Sequence, residues 1–306
     1  MSVKRVLVTG AGGYIGRHVV NELLNQGYHV LASDMARERI NPDADFVATP
    51  IFVPQEALIE KLGSPDAVIH LAWRDGFVHN SSSHMLALSS HVAFLNQLLD
   101  AGLNNLSVMG SMHEVGYWEG MVTEHTPCNP LSQYGIAKNA LRQSMMLYAE
   151  GTQTHFKWLR AFYIYGDDQY GSSIFSKIYK AAMSNQKEFP FTTGKNLYDF
   201  ISVYDLAKQI VMATMQEEYQ GIINVCSGTP VSLADQVESY IQEHHFDIRL
   251  KYGAYIDRPY DSPCVWGDAS IIRQIKKNCM LKGSKGNAVY KESKETIPNF
   301  VSTSKL

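Results

Sequence analysis

The 306-residue chain is 45% apolar and 19% charged, globular proportions that exclude a disordered, collagen-like or disulfide-scaffold protein. Its 27 Lys and Arg against 30 Asp and Glu give a formal charge of -3. No long basic run appears, which argues against nucleic acid as a partner.

The chain opens on MSVKRVLVTG, where a short apolar stretch runs straight into glycines, unlike a signal peptide. Val3 to Thr9 is β-branched and mostly apolar, as in a strand buried on both faces of a parallel sheet. Ile15, Val19, Val20, Leu23 and Leu24 then recur at helical spacing, with Gly27 where a helix would be capped. A second strand, Tyr28 to Asp34, ends in an acid. The order is therefore strand, glycine turn, helix, strand, acid.

Alternation continues with strands at Ala67 to Ala72, Leu106 to Gly110 and Lys157 to Tyr163, and helices at Met85 to Leu99 and Gln133 to Tyr148. After Tyr165-Gly166-Asp167-Asp168 the sequence becomes polar and glycine-rich. A helix follows near Ile174 to Met183, then a strand and helix over Asp199 to Met215, a strand at Ile222 to Cys226 and a helix at Leu233 to Glu243. The expected class is α/β, a Rossmann-type doubly wound parallel sheet with a smaller interleaved α/β substrate-binding lobe. The boundaries read as 1–165 for a dinucleotide-binding domain to which 197–226 returns, and 166–196 with 227–306 for the lobe and a tail. The last thirty or so residues, rich in Lys, Ser and Asn, read as weakly ordered.

No apolar run approaches the ~18 residues of a membrane span. Cys128, Cys226, Cys264 and Cys279 form no C-x-x-C pair, so no metal site or disulfide framework is expected. A cytoplasmic protein without membrane association fits these features.

Thr9-Gly10-Ala11-Gly12-Gly13-Tyr14-Ile15-Gly16 lies between the first strand and helix. Gly10 suits the tight turn, Gly13 the approach of a pyrophosphate, and Gly16 close helix–strand packing, with the helix N-terminus facing the phosphates. Asp34, ~20 residues on, stands where a ribose-hydroxyl acceptor would. A carboxylate there repels a 2′-phosphate, which favours NAD; Arg37 and Arg39 just downstream could clamp one, which keeps NADP open. Tyr134 and Lys138, four residues apart on one helix face, join a phenol to an ammonium expected to lower the phenol pKa from ~10. Ser111, at the end of Val108-Met109-Gly110-Ser111, would hold the reacting oxygen.

Together with His70-Leu71-Ala72, Thr123-Glu124-x-Thr126-Pro127-x-x-Pro130-x-x-x-Tyr134-x-x-x-Lys138, Arg160-x-Phe162-x-x-Tyr165-Gly166, Asp199-Phe200-x-x-Val203-x-Asp205-x-Ala207 and Asn224-x-x-Ser227-Gly228, these motifs resemble the extended short-chain dehydrogenase/reductases of the NAD-dependent epimerase/dehydratase family. The likeness runs from about residue 3 to about residue 270. It implies an enzyme of nucleotide-linked sugars in which Tyr134 is the acid/base, Lys138 holds the nicotinamide ribose and tunes the tyrosine, and Ser111 binds the same sugar oxygen. It also implies that Gly10, Gly13, Tyr14, Ile15, Gly16, Asp34, Leu71 and Ala72 hold the cofactor, and that the chain forms a homodimer through the helices of Met85 to Leu99 and Gln133 to Tyr148.

Departures from the family pattern sharpen the expectation. The places where its 4,6-dehydratases carry an acid pair hold Met112 and His113, and methionine does no proton work. Trp73 replaces a small residue and is followed by Arg74, so the pocket beside the nicotinamide reads as narrowed and charged. Tyr163 and Tyr198 replace an asparagine and an arginine on the nucleotide side, while Arg258 matches a phosphate-binding arginine. These residues, with Ser111, Met112 and His113, are the substrate-binding candidates. The expected activity is NAD(P)-dependent reduction of a nucleotide-activated 4-keto-6-deoxyhexose, with hydride transfer to C4 and Tyr134 as proton donor. A 4-epimerase with tightly bound NAD and a non-catalytic dinucleotide sensor are the alternatives.

Overall fold

A computed structural model describes residues 4–166, 169, 171, 173–257 and 261–283. The chain opens with β1 (Arg5–Thr9), α1 (Gly16–Asn25), β2 (His29–Ser33), β3 (Asp45–Phe46), α2 (Leu58–Lys61) and β4 (Ala67–His70). It continues through α3 (Ser83–Asp100), β5 (Asn105–Ser111), a 3-10 turn at Met112–Glu114, β6 (Gly120–Val122), α4 (Gln133–Glu150), β7 (His155–Ala161) and β8 (Tyr163–Tyr165). The second half comprises α5 (Ile174–Met183), β9 (Glu188–Pro190), β10 (Leu197–Ser202), α6 (Val203–Met215), β11 (Gly221–Val225), β12 (Pro230–Ser232), α7 (Leu233–Glu243), β13 (Arg249–Lys251), β14 (Cys264–Gly267) and α8 (Ser270–Gly283).

Seven parallel strands form the main sheet in the order β11-β7-β5-β4-β1-β2-β3. Side-chain alternation sends Leu7, Val68, Leu106 and Trp158 to one face, where they pack with Phe94 and Leu95 of α3 and Leu141 and Met145 of α4. Val6, Val8, Ile69 and Leu159 face the other side, against Val19 of α1, Leu206 and Ile210 of α6 and Ile272 of α8. Each fully buried aliphatic side chain contributes roughly 1.5–3 kcal/mol, which is why these runs carry so little polarity. The strand order reverses at β1 and β4, so the carboxyl ends of these strands flank the crevice where doubly wound sheets bind ligands.

A smaller sheet runs β12-β10-β14-β6, with β8 added to β10. Within 197–226, therefore, α6 and β11 rejoin the main sheet, whereas β10 belongs to the smaller one. Within 1–165, β6 and β8 join it too. Apolar alternation identifies a strand but not its partners. The two layers share one core, in which Phe175, Ile178, Val237 and Tyr240 are continuous with Val6 and Val8.

α8 begins before the segment expected to be a weakly ordered tail and overlaps it. Ile271, Ile272, Ile275 and Cys279 recur at helical spacing, and Ile272 and Ile275 are buried. The remainder of that tail lies outside the described residues. No helix among the described residues is long and apolar enough to cross a membrane.

Candidate active site

The turn between β1 and α1 is closed by glycines. Gly10 has φ +69°, and a Cβ there would stand 2.8 Å from the backbone of Ala72. A Cβ on Gly16 would stand 2.0 Å from the Gly10 carbonyl oxygen; no side chain fits. Asp34, at the carboxyl end of β2, accepts from the Gly12 amide at 2.8 Å and the Met35 amide at 2.7 Å. The Tyr14 hydroxyl donates to the Gly166 carbonyl at 2.6 Å, tying the turn to the segment after β8. Gly10, Gly13, Tyr14, Ile15, Gly16, Asp34, Leu71 and Ala72 all line one cleft of about 1940 Å³. That exceeds the roughly 300–1,000 Å³ of a single small-ligand pocket. Arg37 and Arg39 are not among its lining residues.

Ser111, Tyr134 and Lys138 line the same cleft. Ser111 ends β5 and opens a capping box: its hydroxyl accepts from the His113 amide at 3.3 Å, while Glu114 accepts from the Ser111 amide at 2.6 Å. Tyr134 stands in the first turn of α4, which Ser132 caps by accepting from the Gly135 amide at 3.1 Å. The Tyr134 amide donates to the His79 carbonyl at 2.8 Å. Lys138, one turn on, donates to the Met109 carbonyl at 2.8 Å.

Burial pushes the Tyr134 phenol up to about 12, with the Ser111 hydrogen bond pulling it down and the Glu114 charge pushing it further up. Burial brings the Lys138 ammonium down to about 7, against the pull of Glu114. The expected lowering of the phenol by Lys138 is not realised: desolvation sets the direction, and the ammonium lies 6.0 Å from the Tyr134 ring centroid. A phenol held protonated at neutral pH is equipped to donate.

The other sequence candidates fall on both sides of this group. Met112 and His113 line the cleft beside Ser111. Tyr163 and Tyr198 stack at 4.2 Å between ring centroids across β8 and β10 and also line it. Arg74 lines the cleft but reaches back to Met35, Nη2 to Sδ 4.0 Å, on the Asp34 side. Trp73 lines the cleft as well, yet its ring packs on His91 and lies under Lys138. Arg258 lies outside the described residues.

Three residues not singled out in the sequence complete the surroundings. Glu114, fully buried, also accepts from the Trp158 indole at 2.9 Å and pairs with Arg160 at 3.6 Å and Arg142 at 3.5 Å. Its signal was the S-x-x-E spacing of Ser111 and Glu114. Being buried behind β5, it is not among the residues facing the cleft. His79 lies parallel to the Tyr134 ring at 5.5 Å between centroids and meets His113 at 4.4 Å. His84 stands 5.3 Å from the same tyrosine ring. The loop carrying Trp73 and His79 turns at Asp75, whose φ of 58° is left-handed and whose carboxylate accepts from Ser81 at 3.1 Å and Ser83 at 2.7 Å. No sequence spacing announces a histidine delivered by such a loop.

Burial lowers His91 to about 3 and His113 to about 4, helped by Lys138 and His79 respectively, and holds His70 well below its ordinary value. In the unfolded chain each protonates near pH 6.5, so below that pH the unfolded state binds more protons than the fold. Their contribution is whole above pH 6.5 and should be lost on acidification at about 1.4 kcal/mol per pH unit for each histidine. Glu22 and Glu114, whose carboxyls burial pushes up, offset part of this. Urea unfolding at pH 7.5 and 5.0 checks it: equal free energies at the two pH values would show that these imidazoles protonate freely in the fold.

Residues 6–226 match the family model described as the NAD dependent epimerase/dehydratase family. The chain is 43% identical over 269 residues, 86% of this chain and 98% of that protein, to the dTDP-6-deoxy-L-talose 4-dehydrogenase (NAD(+)) of Aggregatibacter actinomycetemcomitans. It is 28% identical to a putative UDP-glucose 4-epimerase of Methanocaldococcus jannaschii, over 97% of this chain and 98% of that one. A UDP-glucose 4-epimerase of Stenotrophomonas maltophila with bound NAD and formylated UDP-arabinopyranose superposes with a TM-score of 0.77 at 22% identity, covering 89% of this chain and 91% of that one.

Proposed function

The chain belongs to the NAD-dependent epimerase/dehydratase family, and we propose that it interconverts the 4-keto and 4-hydroxy forms of a nucleotide-linked 6-deoxyhexose, working as a 4-ketoreductase with NADH. At the coarser level it is an NAD-dependent enzyme of nucleotide sugars. The observation that carries the finer reading is the half-buried Tyr134 grouped with Ser111 and Lys138 in the cleft that the glycine turn opens, its phenol pushed up by desolvation. The 43% likeness to a dehydrogenase acting at C4 of a thymidine diphosphate 6-deoxyhexose makes such a sugar the first substrate to try.

The cofactor fits the residues present. The clashes a Cβ would meet at Gly10 and Gly16 leave a bare backbone for a pyrophosphate, Asp34 offers a carboxylate for a ribose hydroxyl, and no arginine of the following loop lines the cleft to take a 2′-phosphate. When bound, the cofactor supplies or accepts the hydride at C4. Ser111 holds the C4 oxygen by a hydrogen bond. Tyr134 gives its proton to that oxygen as the carbonyl is reduced, and the Lys138 charge stabilises the phenolate left behind until solvent restores the proton. Tyr163 and Tyr198 flank the nucleotide side. A homodimer through α3 and α4 is part of the proposal, supported by the exposed Leu86 and Leu147 on these helices.

Incubation with a thymidine diphosphate 4-keto-6-deoxyhexose and NADH should consume one NADH per ketosugar and give a product heavier by two hydrogen atoms. Efficient conversion of a 4-hydroxy nucleotide sugar to its C4 epimer with no added cofactor would overturn the reductase in favour of an epimerase that keeps its NAD.

A further inference from the structure

A run of rings beside Lys138, with His70, His84 and His91 buried and Trp73 half-buried at the cleft wall, has no part in the chemistry above. Thr9 Oγ1 lies 2.8 Å from His70 Nδ1, and His70 Nε2 lies 2.9 Å from His91 Nδ1. The His91 ring stacks on Trp73 at 4.5 Å and 24°. The Trp73 indole N–H meets His84 Nδ1 at 3.1 Å, and His84 Nε2 meets the Val78 carbonyl at 3.0 Å. A carbonyl only accepts, so His84 carries its proton on Nε2 and presents Nδ1 to the indole. The indole is thereby fixed in plane by His91 and at its edge by His84, through groups from β1, β4, α3 and the loop after Trp73.

On this ring sits the Lys138 ammonium, 3.8 Å from its centroid. An aromatic face within about 6 Å attracts a cation, more strongly where water is excluded. Lys138 is almost wholly buried, so the indole replaces part of the hydration that burial removes. The charged and titratable groups around it are Glu114, Tyr134, His70 and His91. The two imidazoles must stay neutral, since a second cation would repel the ammonium.

We propose that Trp73 is a positioning residue for Lys138: its ring face holds the ammonium beside Tyr134, and His91 and His84 hold the ring. The inference rests on the reading of Tyr134 and Lys138 as the proton machinery. It gives Trp73 a role different from narrowing the sugar pocket. Leucine at 73 keeps bulk without a π face, and phenylalanine keeps a weaker one.

The test is an NMR titration of Lys138 in protein labelled with carbon-13 at lysine Cε and free of cofactor, the signal being assigned by its loss in Lys138→Met. In Trp73→Leu, Lys138 should titrate about one pH unit lower, with a smaller fall in Trp73→Phe. The alkaline limb of the kcat profile should move down with it. An unchanged Lys138 titration in a folded Trp73→Leu protein overturns the proposal, and Trp73→Phe is read in the same way should the leucine variant not fold. A lowered titration with an unmoved alkaline limb would instead sink the proton-machinery reading, as would near-parental activity in Tyr134→Phe.

Discussion

Tyr134→Phe lowers turnover by ~10²-fold or more while dinucleotide binding stays close to that of the parent. Phenylalanine keeps the ring that lies parallel to His79 and packs near His84, so the cleft wall survives and only the hydroxyl beside Ser111 is lost. The backbone tie from Tyr134 to His79 is untouched, since it uses the amide. Ser111 and Lys138 remain, but neither replaces the lost donor: the serine hydroxyl holds the oxygen, and the ammonium lies 6.0 Å from the ring centroid. Steady-state rates with a 4-ketosugar, alongside fluorescence titration with NADH, check this. Turnover within a few-fold of the parent would remove Tyr134 from the catalytic role.

Glu114→Ala has the largest expected effect on stability, a loss of about 3–5 kcal/mol, because it strips the counter-charge from a buried guanidinium. The Glu114 and Arg160 side chains are fully buried and Arg142 is nearly so. The carboxylate also takes the Ser111 amide at 2.6 Å and the Trp158 indole at 2.9 Å, so its removal leaves these donors unmatched and frees the end of β5. Glu114→Gln keeps an acceptor for them but not the charge, and should fall between parent and alanine. Urea unfolding of the three proteins measures it; an alanine variant within about 1 kcal/mol of the parent would show that the ion cluster is not a net support.

Gly16 could be read from spacing because its constraint is local, a Cβ there meeting the Gly10 carbonyl oxygen of the same turn, whereas the Ala72 backbone that a Cβ on Gly10 would meet arrives from the end of β4. Tyr134 and Lys138 were equally legible, since a separation of four residues sets one helix face whatever surrounds it. The alternation of strands and helices likewise implied a parallel sheet before any contact was known. α8 shows a local signal overruled, for Ile271, Ile272, Ile275 and Cys279 carried helical spacing into a stretch whose lysines and asparagines suggested disorder.

By itself, then, the sequence determined the sheet class, the glycine turn, the acid after β2 and the tyrosine and lysine one helical turn apart, which depend on short-range geometry, while Ser111 was read through the family resemblance. Only the tertiary structure decided the rest. Trp73 turns under Lys138 because His84 and His91, from a separate helix, fix its edge and plane. β10 joins the smaller sheet, where it pairs with β8, β12 and β14, partners that its own apolar pattern does not name. His79 reaches Tyr134 on a loop held by Asp75. The Tyr134 phenol rises to about 12 because desolvation, a property of the whole surroundings, outweighs what any single neighbour in the sequence can supply.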